Sequence, residues 1–88
     1  MTVQALAAGE VRRVLAEAPD SPVAAYVGEL IDHDEPEAAL ITLLENAPEL
    51  VTPALARRIE AAFVPGTFSR PLALKALARL RERTLAVA

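Results

Sequence analysis

Residues 21–48 read Ser21-Pro22-Val23-Ala24-Ala25-Tyr26-Val27-Gly28-Glu29-Leu30-Ile31-Asp32-His33-Asp34-Glu35-Pro36-Glu37-Ala38-Ala39-Leu40-Ile41-Thr42-Leu43-Leu44-Glu45-Asn46-Ala47-Pro48, and the fold class follows from them. Two helix starts stand in this stretch. Ser21 precedes Pro22, so a hydroxyl is available as N-cap and the proline fills a first-turn position whose N–H would be unpaired anyway. Asp34-Glu35-Pro36-Glu37 repeats the arrangement with an acidic cap, Glu37 standing three residues on as in a capping box. Apolar residues recur at helical spacing: Val23, Val27, Leu30 and Ile31, then Leu40, Ile41, Leu43 and Leu44. Each set occupies one helix face. Pro48 stops the second run. The stretch predicts two consecutive amphipathic helices.

The same punctuation extends outward. Thr52-Pro53 and Ser69-Arg70-Pro71 mark further starts, while Pro19 and Pro65-Gly66 mark stops. Stripes of Leu55, Ile59, Ala62 and Phe63, and of Leu74, Leu77, Leu80 and Leu85, follow the two later starts. Five helices are predicted, at about 3–17, 22–33, 35–47, 53–64 and 70–86. Composition agrees: 19 alanines and 13 leucines outnumber eight valines and three isoleucines, and the first two types lose little on entering a helix. Strand alternation is absent. An all-α compact bundle is expected, residues 1–88 forming a single helical domain without a solenoid repeat.

Several classes fall away on chemistry. With no cysteine in 88 residues, disulfide scaffolds, thiolate zinc sites and thiol enzymes are excluded. No run approaches the ~18 apolar residues of a membrane span. Met1-Thr2-Val3-Gln4 lacks a basic n-region, and Glu10, Arg12 and Arg13 interrupt the apolar run, so no signal peptide is expected. A cytoplasmic chain with no membrane partner is the expectation. Asp32-His33-Asp34-Glu35 resembles a metal or acid–base cluster, but His33 is the sole histidine and consecutive helical side chains diverge. His33 suits a helix C-terminus and Asp34 the next cap. Ser21 and Ser69 read as caps, and Gly9, Gly28 and Gly66 stand alone rather than forming a phosphate loop. No enzyme activity, metal or cofactor is expected.

Charge is the remaining signal. Residues 1–50 carry ten acids and two bases, a net of −8, whereas residues 51–88 carry two acids and seven bases, a net of +5. Between Arg13 and Arg57 lie nine acids and no base: Glu17, Asp20, Glu29, Asp32, Asp34, Glu35, Glu37, Glu45 and Glu49. They are either solvated, covered by the arginines of the last helix, or a face for a basic macromolecule, whose encounter such a field accelerates. The last helix, with Arg70, Lys75, Arg79, Arg81 and Arg83, could contact phosphates. Against nucleic acid stand the acidic first half and the long Pro65–Ser69 join, which exceeds the turn of a DNA-reading helix pair.

The stretch from Tyr26 to Leu40, followed by Leu43-Leu44-Glu45-Asn46, resembles small bacterial immunity proteins of the MafI-like family. That family has a helix ending in an acidic D-H-x-E turn, then x-x-A-L, an L-x-x-x-L helix, and a further helix opened by a Ser/Thr cap. Asp32, His33, Glu35, Ala39, Leu40, Leu44 and Thr52 stand at the matching places over about residues 23–62. Pro48 and Glu49 replace the family's acidic run between helices, and Pro65–Ala88 lies outside the resemblance. The resemblance implies an immunity protein that neutralises a cognate polymorphic toxin by stoichiometric binding. A nuclease toxin would present a basic catalytic face, and the acidic helices would mimic its polyanion. Glu29, Asp32, Asp34, Glu35 and Glu37 are the expected contacts, with Glu45 and Glu49 at a rim and Tyr26 as the aromatic anchor. The alternatives are a helical self-association or adaptor domain, whose homodimer interface could be the leucine-rich last helix, and third a nucleic-acid binder through residues 70–83.

Overall fold

Thr2, Ser21 and Thr52 each set a side-chain oxygen over the first turn of a helix, accepting from the backbone N–H groups of Ala5, Ala24 and Leu55 at 3.0–3.1 Å. Each satisfies a donor that the helix itself cannot pair. The computed structural model describes the backbone of residues 1–87 and the side chains of residues 1–84. It shows five helices and, among the described residues, no strand. Helix α1 runs over residues 3–16 and is built of Val3–Leu6, a π turn Ala7–Val11 and Arg12–Ala16. Helix α2 is Pro22–Asp32, α3 is Pro36–Asn46, α4 is Pro53–Ala62 and α5 is Arg70–Val87. The expected helices are all present, with ends within two residues. Two local features were not expected: the π turn and a 3-10 turn, Pro48–Leu50, after the stop at Ala47.

The α2–α3 connection differs from its sequence reading. Asp34 is not the N-cap of α3; it has φ 59° and sits just beyond the end of α2. The N–H of Glu35 reaches the carbonyl of Leu30 at 2.9 Å, and that of Asp34 reaches Ile31 at 3.1 Å. These paired bonds are a Schellman closure of α2, which requires a left-handed residue at this point. Glu35 takes the N-cap place of α3 with no side-chain cap bond, and no capping box forms. Ser69 also departs from expectation. Its carbonyl accepts the first bond of α5, from Ala73 at 3.1 Å, but its hydroxyl donates to Glu37 instead of capping its own helix.

Helix α3 is the centre of the packing, touching α1, α2 and α5, and α1 also rests on α4. Leu6, Val11, Val27, Leu40, Leu43, Leu55, Ile59, Phe63 and Leu77 are almost wholly removed from solvent. Val23, Leu30, Ile31, Ile41 and Leu74 flank them, half-buried. The stripes therefore meet as their spacing predicts; the side chain of Leu85, expected on the last, lies outside the described residues. The Cα radius of gyration is 12.0 Å, close to the ~12 Å expected of a folded domain of this length. Among the described residues no helix is long and apolar enough to cross a membrane.

Candidate partner-binding surface

The short Schellman turn folds α2 back along α3, so the start of α2 lies near the end of α3. Pro22, Val23 and Tyr26 of α2 and Thr42 and Asn46 of α3 line a shallow depression of about 320 Å³. Tyr26 is 53% exposed, which places its ring at the surface rather than in the core. Glu29, one turn further along α2, is exposed, as are Asp34 and Glu35 on the turn. Tyr26 and Glu29 share a face by their i, i+3 spacing.

Two of the expected contacts are engaged within the chain. Asp32 is exposed but paired with the Arg12 guanidinium of α1. Glu37 is half-buried and accepts the Ser69 hydroxyl. Glu45 is exposed and shares a small depression with Arg79 and Arg83 of α5, while Glu49 is exposed on the 3-10 turn. The structure thus gathers Tyr26, Glu29, Asp34 and Glu35 around one hairpin, and turns Asp32 and Glu37 to other duties.

The arginines of the last helix do not cover the acids between Arg13 and Arg57 by ion pairing among the described residues. Among the described residues the ion pairs are Arg12–Asp32, Arg58–Glu10 and Arg81–Glu60. Arg58 grips Glu10 with two donors, Nε lying 2.6 Å from Oε1. That hydrogen bond holds the Glu10 carboxyl below its ordinary range and raises the Arg58 guanidinium. Arg81 Nη2 lies 2.6 Å from Glu60 Oε1 and lowers that carboxyl in the same way. Of the nine acids between Arg13 and Arg57, only Asp32 has an ion-pair partner among the described residues, and α1 supplies it. Among the described residues no arginine of α5 makes an ion pair with the acidic hairpin.

Among the described residues no polar or charged side chain is buried, and no group of three or more His, Cys, Asp or Glu is placed to hold a metal ion. A depression of about 560 Å³ between α4 and α5 is lined by Val51, Thr52, Pro53, Ala56 and Leu80 together with Arg57, Arg81 and Thr84. Among the described residues its lining includes no carboxylate or imidazole. What the molecule presents is charged and apolar surface.

A second exposed feature escaped the sequence reading. Val64, Phe68 and Leu72 are 55%, 99% and 59% exposed around the α4–α5 join. The available signal was an aromatic, Phe68, outside every helical stripe. No family model, no curated protein and no solved structure matches this chain. The class defined by the structure is a small all-α bundle with an acidic, tyrosine-bearing hairpin on its surface.

Proposed function

We propose that the protein is an immunity-type inhibitor that binds a basic toxin polypeptide through the outer face of the α2–α3 hairpin. The observation that carries this is the state of the acids. Glu29, Asp34 and Glu35 on the hairpin are exposed and make no ion pair among the described residues, and Tyr26 on the same hairpin is half exposed. Uncompensated like charge on one small surface is self-repelling, and a basic partner relieves the repulsion. Such a field also accelerates encounter with that partner. Tyr26 beside the Pro22–Asn46 depression supplies an aromatic anchor of the kind that dominates interface energetics. The resemblance of residues 23–62 to MafI-like immunity proteins points the same way. Inhibition needs no chemistry of its own, only occupancy of a partner's active site.

Affinity capture from the protein's own cells, with elution in rising salt, is the direct test. A stoichiometric basic polypeptide retained past ~0.5 M salt, where surface charge alone is screened within a few ångströms, is the expected result. Its purified form should associate at least tenfold more slowly with the Glu29→Lys/Glu35→Lys variant at low salt. Tyr26→Ala should dissociate at least tenfold faster, as for a hot-spot residue. Expression of the captured polypeptide should arrest growth, and co-expression of this chain should restore it. Association rates unchanged by the double charge reversal, or growth unaffected by the captured polypeptide, would overturn the proposal.

A further inference from the structure

Phe68 is 99% exposed, and its surroundings are not random surface. It stands on the α4–α5 join, with exposed Val64, Pro65, Pro71 and Leu72 about it. The N–H of Thr67 bonds to the carbonyl of Val64, and that of Arg70 to Thr67, so the join runs as two successive turns that lead directly into α5. From Leu72 onward, Lys75, Arg79 and Arg83 follow at spacings of three, four and four, all exposed. They therefore form one stripe of α5, roughly 17 Å long at 1.5 Å per residue, away from buried Ala73, Leu77 and Leu80. None of the three bases has an ion-pair partner among the described residues. Glu82 beside the stripe and Glu45 across from Arg79 and Arg83 are the acids that face it.

The occupant of this surface has to satisfy bases and aliphatic groups together. A second copy packed antiparallel on α5 would set Lys75, Arg79 and Arg83 against their own equivalents, and like charges across an interface oppose it. A single-stranded nucleic acid would use the bases and stack on Phe68, but would leave Val64 and Leu72 in water. An anionic lipid surface meets both demands, with headgroup phosphates along the stripe and the acyl boundary at the apolar end. We infer that α5 and the join before it form a peripheral docking face for an anionic membrane surface, with Phe68 and Leu72 inserted and Lys75, Arg79 and Arg83 on the headgroups. The sequence carries no apolar span, and the expectation of no membrane partner rested on that; surface binding does not need one.

Vesicle flotation of the full chain is the test, using phosphatidylcholine vesicles with and without phosphatidylglycerol. Binding should require phosphatidylglycerol and weaken with salt. Each base is worth about fivefold near such a surface, so Lys75→Ala/Arg79→Ala/Arg83→Ala should lose roughly 100-fold in partitioning. Phe68→Ser should lose roughly tenfold, and Glu82→Gln should gain a few fold. All these positions are exposed, and retained helical circular dichroism will confirm that each variant is folded. Equal partitioning onto pure phosphatidylcholine, or an unaffected triple variant, would overturn the inference. So would a phosphate-matched single-stranded oligonucleotide bound through the same bases in the absence of vesicle binding, or a concentration-dependent mass that the triple variant abolishes. Glu29 and Glu35 are intact in every variant, so failure here leaves the hairpin proposal standing.

Discussion

Asp34 holds a backbone conformation that most side chains resist, with φ 59° at the close of α2. Left-handed geometry crowds Cβ against the following carbonyl, and aspartate tolerates it better than a branched residue but worse than glycine. Asp34→Gly should stabilise the fold by about 0.5–1 kcal/mol, less whatever the added freedom of the unfolded chain removes. For a domain of this size that is a rise of roughly 2–8 °C in Tm, and Asp34→Val should lower it by a similar amount. Thermal melts of the two variants moving together would show that the Schellman closure is not what fixes residue 34. The sequence misled at this residue because Asp is a good N-cap, and with three residues between helices one position serves both ends. Leaving α2 demanded a left-handed residue, no glycine was present, and Asp34 met that demand; Glu35 was left to enter α3 without a side-chain cap.

At the scale of elements, capping was legible wherever it was local. Ser21 and Thr52 bond within four residues of themselves, and the Ser/Thr-Pro pattern contains everything needed to infer that. Ser69 shows where such inference stops, because its hydroxyl is drawn to a carboxylate 32 positions away. The Ser69–Glu37 bond ties the start of α5 to the start of α3, the two helices whose packing buries Leu43, Leu44, Ala73 and Leu77. A hydrogen bond to a charged acceptor in a half-buried site is worth about 1.5–3 kcal/mol. Ser69→Ala and Glu37→Gln should each destabilise the protein by about 1–2 kcal/mol in urea denaturation. Their combination should fall short of the sum by about 1 kcal/mol, the signature of a shared contact. Additive losses would mean that the two side chains act separately. Arg70 likewise acts outside its own helix: its Nε donates to the carbonyl of Phe63 at 2.9 Å. It closes α4 from the first residue of α5, a role no local pattern announces.

Over the whole molecule, the division into an acidic and a basic half was visible in the sequence, but the pairing was not. Arg58 reaches Glu10 across 48 positions and Arg81 reaches Glu60 across 21; contacts of that range depend on how α1, α4 and α5 are arranged. Protonating Glu10 or Glu60 removes the charge that its arginine hydrogen bond depends on. Both paired carboxyls are held below their ordinary range by an arginine hydrogen bond. A carboxyl with a lowered folded pKa contributes stability above its unfolded pKa, about 4.3 for glutamate, and that contribution is lost as pH falls through the lower folded value. Comparing wild type with Glu10→Gln/Glu60→Gln isolates these two carboxyls, since every other titrating group is common to both proteins. The stability gap between them should be widest near pH 7, narrow below about pH 4.3, and close once both folded carboxyls are protonated. Urea midpoints measured from pH 7 to pH 2.5 will show this; a gap constant across the range would mean that the two arginine pairs contribute nothing that depends on charge.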